Sequence, residues 1–201
     1  MISAVYIHIP FCRSICTYCD FCKFIYNKEW ADDYLKKLEY EVSDRYMDDE
    51  VHTIYIGGGT PSILNRQELD KLFSIVKKFK VSSDLEFTME CNLEDITEDF
   101  IKYIKSNGVN RISIGVESFN QHNLEIMNRI MDYEKLDNTL KMIRREGINN
   151  INLDLMYALP EENLKTVKSD IKKLVKLNPE HISTYSLILE DNTYLKYKNT
   201  H

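Results

Sequence analysis

Six short runs of apolar and β-branched residues punctuate the chain: AVYIHI at 4–9, HTIYIG at 52–57, LEFTMEC at 85–91, RISIGV at 111–116, NINLDLMY at 150–157 and HISTYSLIL at 181–189. Their length and composition predict strands. The segments between them carry apolar positions three and four residues apart, which predicts a helix in each gap. These positions are Tyr34, Leu35, Leu38 and Val42; Leu69, Leu72, Phe73 and Val76; Phe100, Ile101 and Ile104; Leu136, Leu140 and Ile143; and Val167, Ile171, Leu174 and Val175. Regular repetition of strand, helix, strand points to right-handed crossovers that build a parallel sheet. Six such units predict an α/β fold, a partial (β/α)6 TIM-like barrel with parallel strands, open on one side because eight units close a full barrel. A doubly wound open sheet is the alternative. A lateral gap in the barrel would admit a large substrate.

Composition narrows the setting. Of 201 residues, 43% are apolar and 29% charged, with six Gly and four Pro, so the chain has the material for a buried core and lacks the bias of a disordered sequence. No repeat or Pro/Gly/Ser-rich linker divides it, so residues 1–201 read as one domain. The end of the chain soon after the sixth strand leads us to expect a further C-terminal part. A net charge of -6 offers polyphosphate no attraction, which argues against a nucleic-acid partner, and Lys77, Lys78 and Lys80 read as a solvated helix end. No stretch nears the roughly 20 apolar residues of a membrane span and no leader precedes the first strand, so a cytoplasmic location is expected. In that reducing compartment clustered cysteines are metal ligands or catalytic thiols rather than disulfides.

Four of the five cysteines fall within FCRSICTYCDFC, residues 11–22, spaced C-x3-C-x2-C-x2-C at Cys12, Cys16, Cys19 and Cys22. A structural zinc site usually draws on two separated knuckles or a Cys/His pair, whereas three or four thiolates on one tight loop suit a compact iron–sulfur cluster. The alternatives are a zinc-stabilised, non-catalytic α/β binding domain and unligated thiols. Cys12, Cys16 and Cys19 alone would leave one iron of a four-iron cluster open to a ligand, while Cys22 could complete the set instead. Cys91 stands alone and reads as a small buried apolar residue. Other unusual residues collect at the carboxyl ends of the expected strands, where parallel α/β sheets build their sites. They are Gly57-Gly58-Gly59-Thr60-Pro61, Glu90-Cys91-Asn92, Gly115-Val116-Glu117-Ser118, Asp154 and Tyr157.

YIHIPFCRSICTYCDF, GGGTPS, ISIGVESF and NLDLMYALP, in that order, closely resemble the radical S-adenosylmethionine (SAM) superfamily. Within it they resemble the branch of oxygen-independent coproporphyrinogen III oxidases and HemW-type heme chaperones. The resemblance spans essentially the whole chain. It implies that Cys12, Cys16 and Cys19 hold a 4Fe-4S cluster whose fourth iron binds SAM through its amino and carboxylate groups. It also implies that the Gly58, Gly59 and Thr60 turn holds the methionyl ammonium, that Glu90 and Asp154 meet ribose hydroxyls or the ammonium, and that Arg129 pairs with the SAM carboxylate. Tyr6, Tyr18 and Glu117 match positions lining the same pocket. The competing readings are ordinary ones: a strand-to-helix turn, solvated or capping carboxylates, a helix-surface arginine and packed tyrosines.

Three departures stand out. Glu117 occupies a position where the family usually has glutamine, Met131 stands in place of a histidine, and Ala158 replaces a typical glycine. The implied chemistry is one-electron reductive cleavage of SAM, supplied with electrons by a donor such as flavodoxin or ferredoxin. In the oxidase this leads to decarboxylation of a coproporphyrinogen III propionate; in the chaperone, cluster and SAM are kept and heme is carried. The oxidase pattern has a cysteine one residue beyond the cysteine triad, where this chain reads Cys19-Asp20-Phe21. That favours the chaperone-like reading, with porphyrin or heme as the small-molecule partner. His8, His52, His122 and His181 lie in no heme motif and read as ordinary core or surface histidines.

Overall fold

The computed structural model describes residues 2–200. In chain order the elements are β1 (Ala4–Ile9), β2 (Phe11–Cys12), β3 (Phe24–Ile25), α1 (Lys28–Arg45), β4 (Val51–Gly58), α2 (Arg66–Val76), β5 (Val81–Cys91), α3 (Glu98–Ser106), β6 (Arg111–Glu117), α4 (Gln121–Met127), α5 (Tyr133–Arg145), β7 (Asn150–Tyr157), α6 (Leu164–Lys176), β8 (His181–Ser186) and α7 (Tyr194–Thr200). Six strands form one sheet in the order β1-β4-β5-β6-β7-β8, with every neighbouring pair parallel. Sequential order means that each crossover returns to the next position, and β1 and β8 remain edges of an open, partial barrel.

The strands have two different faces. Ile54, Ile56, Phe87, Met89, Ile112, Ile114, Ile151, Leu153 and Leu155 are buried and form one core with Leu35, Leu72, Ile101, Leu140 and Leu174 of the surrounding helices. The residues between them in sequence, Tyr55, Glu90, Ser113 and Asp154, point the other way and line a cavity. An all-parallel sheet normally buries apolar residues on both faces. Here the second face carries polar groups instead, and this sets the chemistry of the barrel interior.

Local chemistry fixes the helix starts. The Asn27 side chain accepts from Trp30 N to open α1, and Asn65 and Glu68 form a reciprocal capping box at α2, where Tyr26 also donates to Glu68. The structure differs from the sequence reading at four places. Two helices, α4 and α5, occupy the gap between β6 and β7, because Asn128 adopts a left-handed conformation (φ 55) that ends α4. A further helix, α7, follows the last strand. Strand β5 starts at Val81 rather than Leu85, where Val81 pairs with Val51, and β8 stops at Ser186 rather than Leu189.

Candidate functional site

The cysteine loop leaves β1 at Pro10 and is tied down on both flanks. On one side Phe24 N donates to Pro10 O (2.7 Å) and Tyr26 N to Cys12 O (2.9 Å), so that β3 lies beside β2. On the other side the C-terminal end of α4 grips the loop. Thr17 N donates to Met127 O (3.2 Å), Thr17 Oγ1 to Ile126 O (2.6 Å) and Asn128 Nδ2 to Ile15 O (3.1 Å). Arg13 reaches across to Asp95 (2.8 Å), and His8 Nε2 meets Cys22 O at 2.8 Å.

This anchoring turns Cys12, Cys16 and Cys19 toward one cavity of about 1140 Å³, shared with Tyr18, Gly58, Gly59, Thr60, Glu90, Glu117, Arg129 and Asp154. The three thiols are half-buried and free of disulfides; Cys22 is exposed and does not line the cavity. Cys91 is buried at the end of β5, where burial pushes its thiol well up. Tyr6 is the candidate that stands apart. It is 57% exposed and does not line the cavity, its hydroxyl lies 3.1 Å from His8 Nδ1, and its ring lies against Tyr55.

The glycine turn is shaped by close approach. Gly58 has φ 113, and its N–H donates to Glu90 Oε2 (3.0 Å) while Tyr55 donates to Glu90 Oε1 (2.6 Å). Two donors therefore fix Glu90, and burial raises its carboxyl above the usual range. At Gly59 an added Cβ would stand 2.9 Å from Cys12 Sγ and 2.7 Å from Phe11 O. The bare glycine keeps the space beside that thiol open, as a bulky cluster there requires. Burial also holds the Cys12 and Cys19 thiols above their usual range.

On the opposite wall Arg129 Nη2 donates to Gly115 O (2.6 Å), and Nη1 lies 3.6 Å from Cys16 Sγ. Its Nε is buried without a partner. An always-charged group with an unspent donor beside a thiol fits an incoming carboxylate. Asp154 accepts from Asn152 (2.7 Å) and Ser113 (3.3 Å), which orients it into the cavity. Glu117 sits on a bulge between β6 and β7 at φ 65, buried, with Tyr185 donating to it and Tyr18 facing it. Met131 lines the cavity, and Ala158 holds φ 62, a conformation that explains why glycine is usual there.

Tyr55, Ser113 and Tyr185 escaped the sequence reading. For Tyr55 and Ser113 the alternation with apolar residues along β4 and β6 was the available signal, since it marks side chains on the face away from the helices, whereas β8 reads His-Ile-Ser-Thr-Tyr-Ser and carries no such pattern. The four histidines named above have protein partners: His8 as above, His52 with Asp84, His122 with Glu161 and His181 with Asn152. Among the described residues no group of three or more His, Cys, Asp or Glu is placed to hold a single metal ion. No helix of the described residues is long and apolar enough to cross a membrane.

The Radical SAM superfamily pattern matches residues 6–174. The heme chaperone HemW of Bacillus subtilis is 40% identical over 195 residues, covering 94% of this chain and 52% of that protein. HemW of Escherichia coli is 38% identical over 196 residues, with 94% and 52% coverage. The solved coproporphyrinogen III oxidase HemN of Escherichia coli, described as a radical SAM enzyme, superposes with a TM-score of 0.86 at 30% identity, covering 93% of this chain and 44% of that one. The chain spans about half the length of the curated relatives it matches. With most of its length matched by the superfamily pattern and its fold shared with HemN, the chain belongs to the Radical SAM superfamily.

Proposed function

We propose that this chain supplies the cluster- and SAM-binding part of a HemW-type heme chaperone. The observation that carries the reading is the convergence of three free thiols, a glycine turn and an arginine with an unspent donor on one cavity. In this reading Cys12, Cys16 and Cys19 ligate three irons of a 4Fe-4S cluster. Arg129 takes the SAM carboxylate as a charge-assisted fork, and the Gly58–Thr60 backbone receives the methionyl ammonium. Glu90 and Asp154 accept from ribose hydroxyls or the ammonium, and Tyr18 and Glu117 close the wall beside them. Tyr6 acts from outside the cavity, through His8 and Tyr55. The chemistry this pair of cofactors supplies when bound is one-electron reductive cleavage of the sulfonium.

The cavity has an apolar half as well. Leu93, Met131, Met156 and Leu187 line it, and Ile130 and Ile188 stand exposed at its mouth, 80% and 66% accessible. A flat macrocycle with a wet edge suits that mixture. Phe21, where the oxidase pattern has cysteine, supports the chaperone reading over oxidase activity, as do the HemW relatives. Reduced thiols and the need for an external one-electron donor, such as flavodoxin or ferredoxin, fit a cytoplasmic protein.

The test uses the iron-loaded chain with reductant, SAM and either heme or coproporphyrinogen III. Heme retained on gel filtration, with coproporphyrinogen III left intact, is the expected result. Consumption of coproporphyrinogen III with formation of a vinyl product would replace the chaperone reading by oxidase activity.

A further inference from the structure

The cations around the cysteine loop differ in what holds them. Arg13 pairs with Asp95, and Lys28 with Asp32. Lys23 instead donates from Nζ to the backbone oxygen of Cys19, and among the described residues no carboxylate lies within ion-pair distance of it. It is half-buried, and the residue after it is pinned, since Phe24 N donates to Pro10 O (2.7 Å). The fold therefore keeps an uncompensated ammonium on the carbonyl of the third proposed cluster ligand.

Lys23 lines the main cavity together with Cys12, Cys16 and Cys19. It also lines a smaller cavity of about 490 Å³ between the loop and the start of α7. There Leu195 is buried and its N–H donates to Thr17 O (2.9 Å), so α7 shields part of the loop from water. A partly buried charge is screened less than an exposed one and acts more strongly on its neighbours. The effect reaches the thiols: burial pushes those of Cys12 and Cys19 up, and the Lys23 ammonium opposes that shift at both. Asp20 acts in the other sense at Cys19. Glu125 lines both cavities and accepts from Gln121 (3.0 Å), while Lys198 lines the smaller one but is exposed.

We propose that Lys23 is a positioning residue for electron delivery: its ammonium, held on Cys19 O, stabilises the reduced cluster and so sets its reduction potential. The inference rests on the cluster reading above. Reduction moves one electron from the external donor to the cluster, and no bond or proton moves with it. The reduced form carries one more negative charge, so a fixed cation beside it favours that form and raises the potential. A weaker external donor then suffices.

The experiment takes the iron-loaded chain without SAM through an anaerobic redox titration followed by EPR, and compares wild type with Lys23→Met and Lys23→Arg. Lys23→Met removes the charge and keeps an apolar stem, whereas Lys23→Arg keeps the charge and a donor for Cys19 O. All three should hold the same iron and sulfide. In Lys23→Met the reduction equilibrium should fall about tenfold, a midpoint lower by about 59 mV for one electron. Lys23→Arg should stay close to wild type. An iron-loaded Lys23→Met with the wild-type midpoint overturns the inference alone. So does an equal fall in Lys23→Arg, which would trace the shift to loop shape rather than charge. Loss of iron in Lys23→Met overturns it as well, since Lys23 would then be a tether of the loop. Wild type that takes up no iron overturns the functional reading and the inference with it.

Discussion

Glu117 shows how one side chain can depart from its family while the surrounding geometry stays intact. Its carboxyl is buried on a strained bulge, and burial raises its pKa although Arg129 nearby opposes the shift. Because the folded state holds this proton more tightly than the unfolded chain, the associated stability is present at low pH. It is lost as pH rises through the raised value. Glu117→Gln keeps the shape and the acceptor for Tyr185 without burying a charge. The variant should therefore melt higher than wild type at pH 8, with a difference that shrinks toward pH 5 in thermal melts across that range. A constant difference would show that ionisation is not the cause. At this scale cysteine spacing and the glycine run picked out the loop and the turn that line the cavity, because both are local signals, whereas Arg129 entered through the family resemblance alone. The sequence held no hint of Tyr185, whose partner is 68 residues away, or that Tyr6 stands outside the cavity.

Among the elements, α4 does more than its length suggests. Seven residues long, it holds the cysteine loop through Ile126, Met127 and Asn128 and places Arg129 at its exit. Leu124 and Met127 are too few for a helical period to be recognised, so the sequence reading placed one helix in this gap, on Leu136, Leu140 and Ile143, and passed over α4. The strands were readable because the helix-facing positions form long apolar alternations. Asn120 caps α4 by accepting from Asn123 N. Asn120→Ala should cost about 1 kcal/mol in denaturant unfolding and should speed loss of iron from the loaded protein. A stability loss without faster iron release would mean that the loop holds its shape independently of α4.

For the whole molecule, a sequential parallel sheet with an apolar outer face and a polar inner face explains why the site lies where it does. The outer face needs helices to cover it, and the inner face leaves Glu90, Ser113 and Asp154 open to a ligand. The repeating strand–helix pattern made the open barrel legible from sequence. The polar interior was less so, since Tyr, Thr and Ser sit well in strands for reasons unrelated to a ligand. The central claim is that three cysteines hold the cluster and a fourth iron is free to take SAM. Its most direct test is the EPR spectrum of the anaerobically reconstituted, reduced chain with and without SAM, taken alongside iron and sulfide content for wild type, Cys22→Ala and Cys12→Ala. The account predicts about four irons and four sulfides in wild type and in Cys22→Ala, with a spectrum that shifts on adding SAM, and loss of the cluster in Cys12→Ala. A colourless protein holding one zinc, or a Cys22→Ala variant that cannot hold iron, would contradict it.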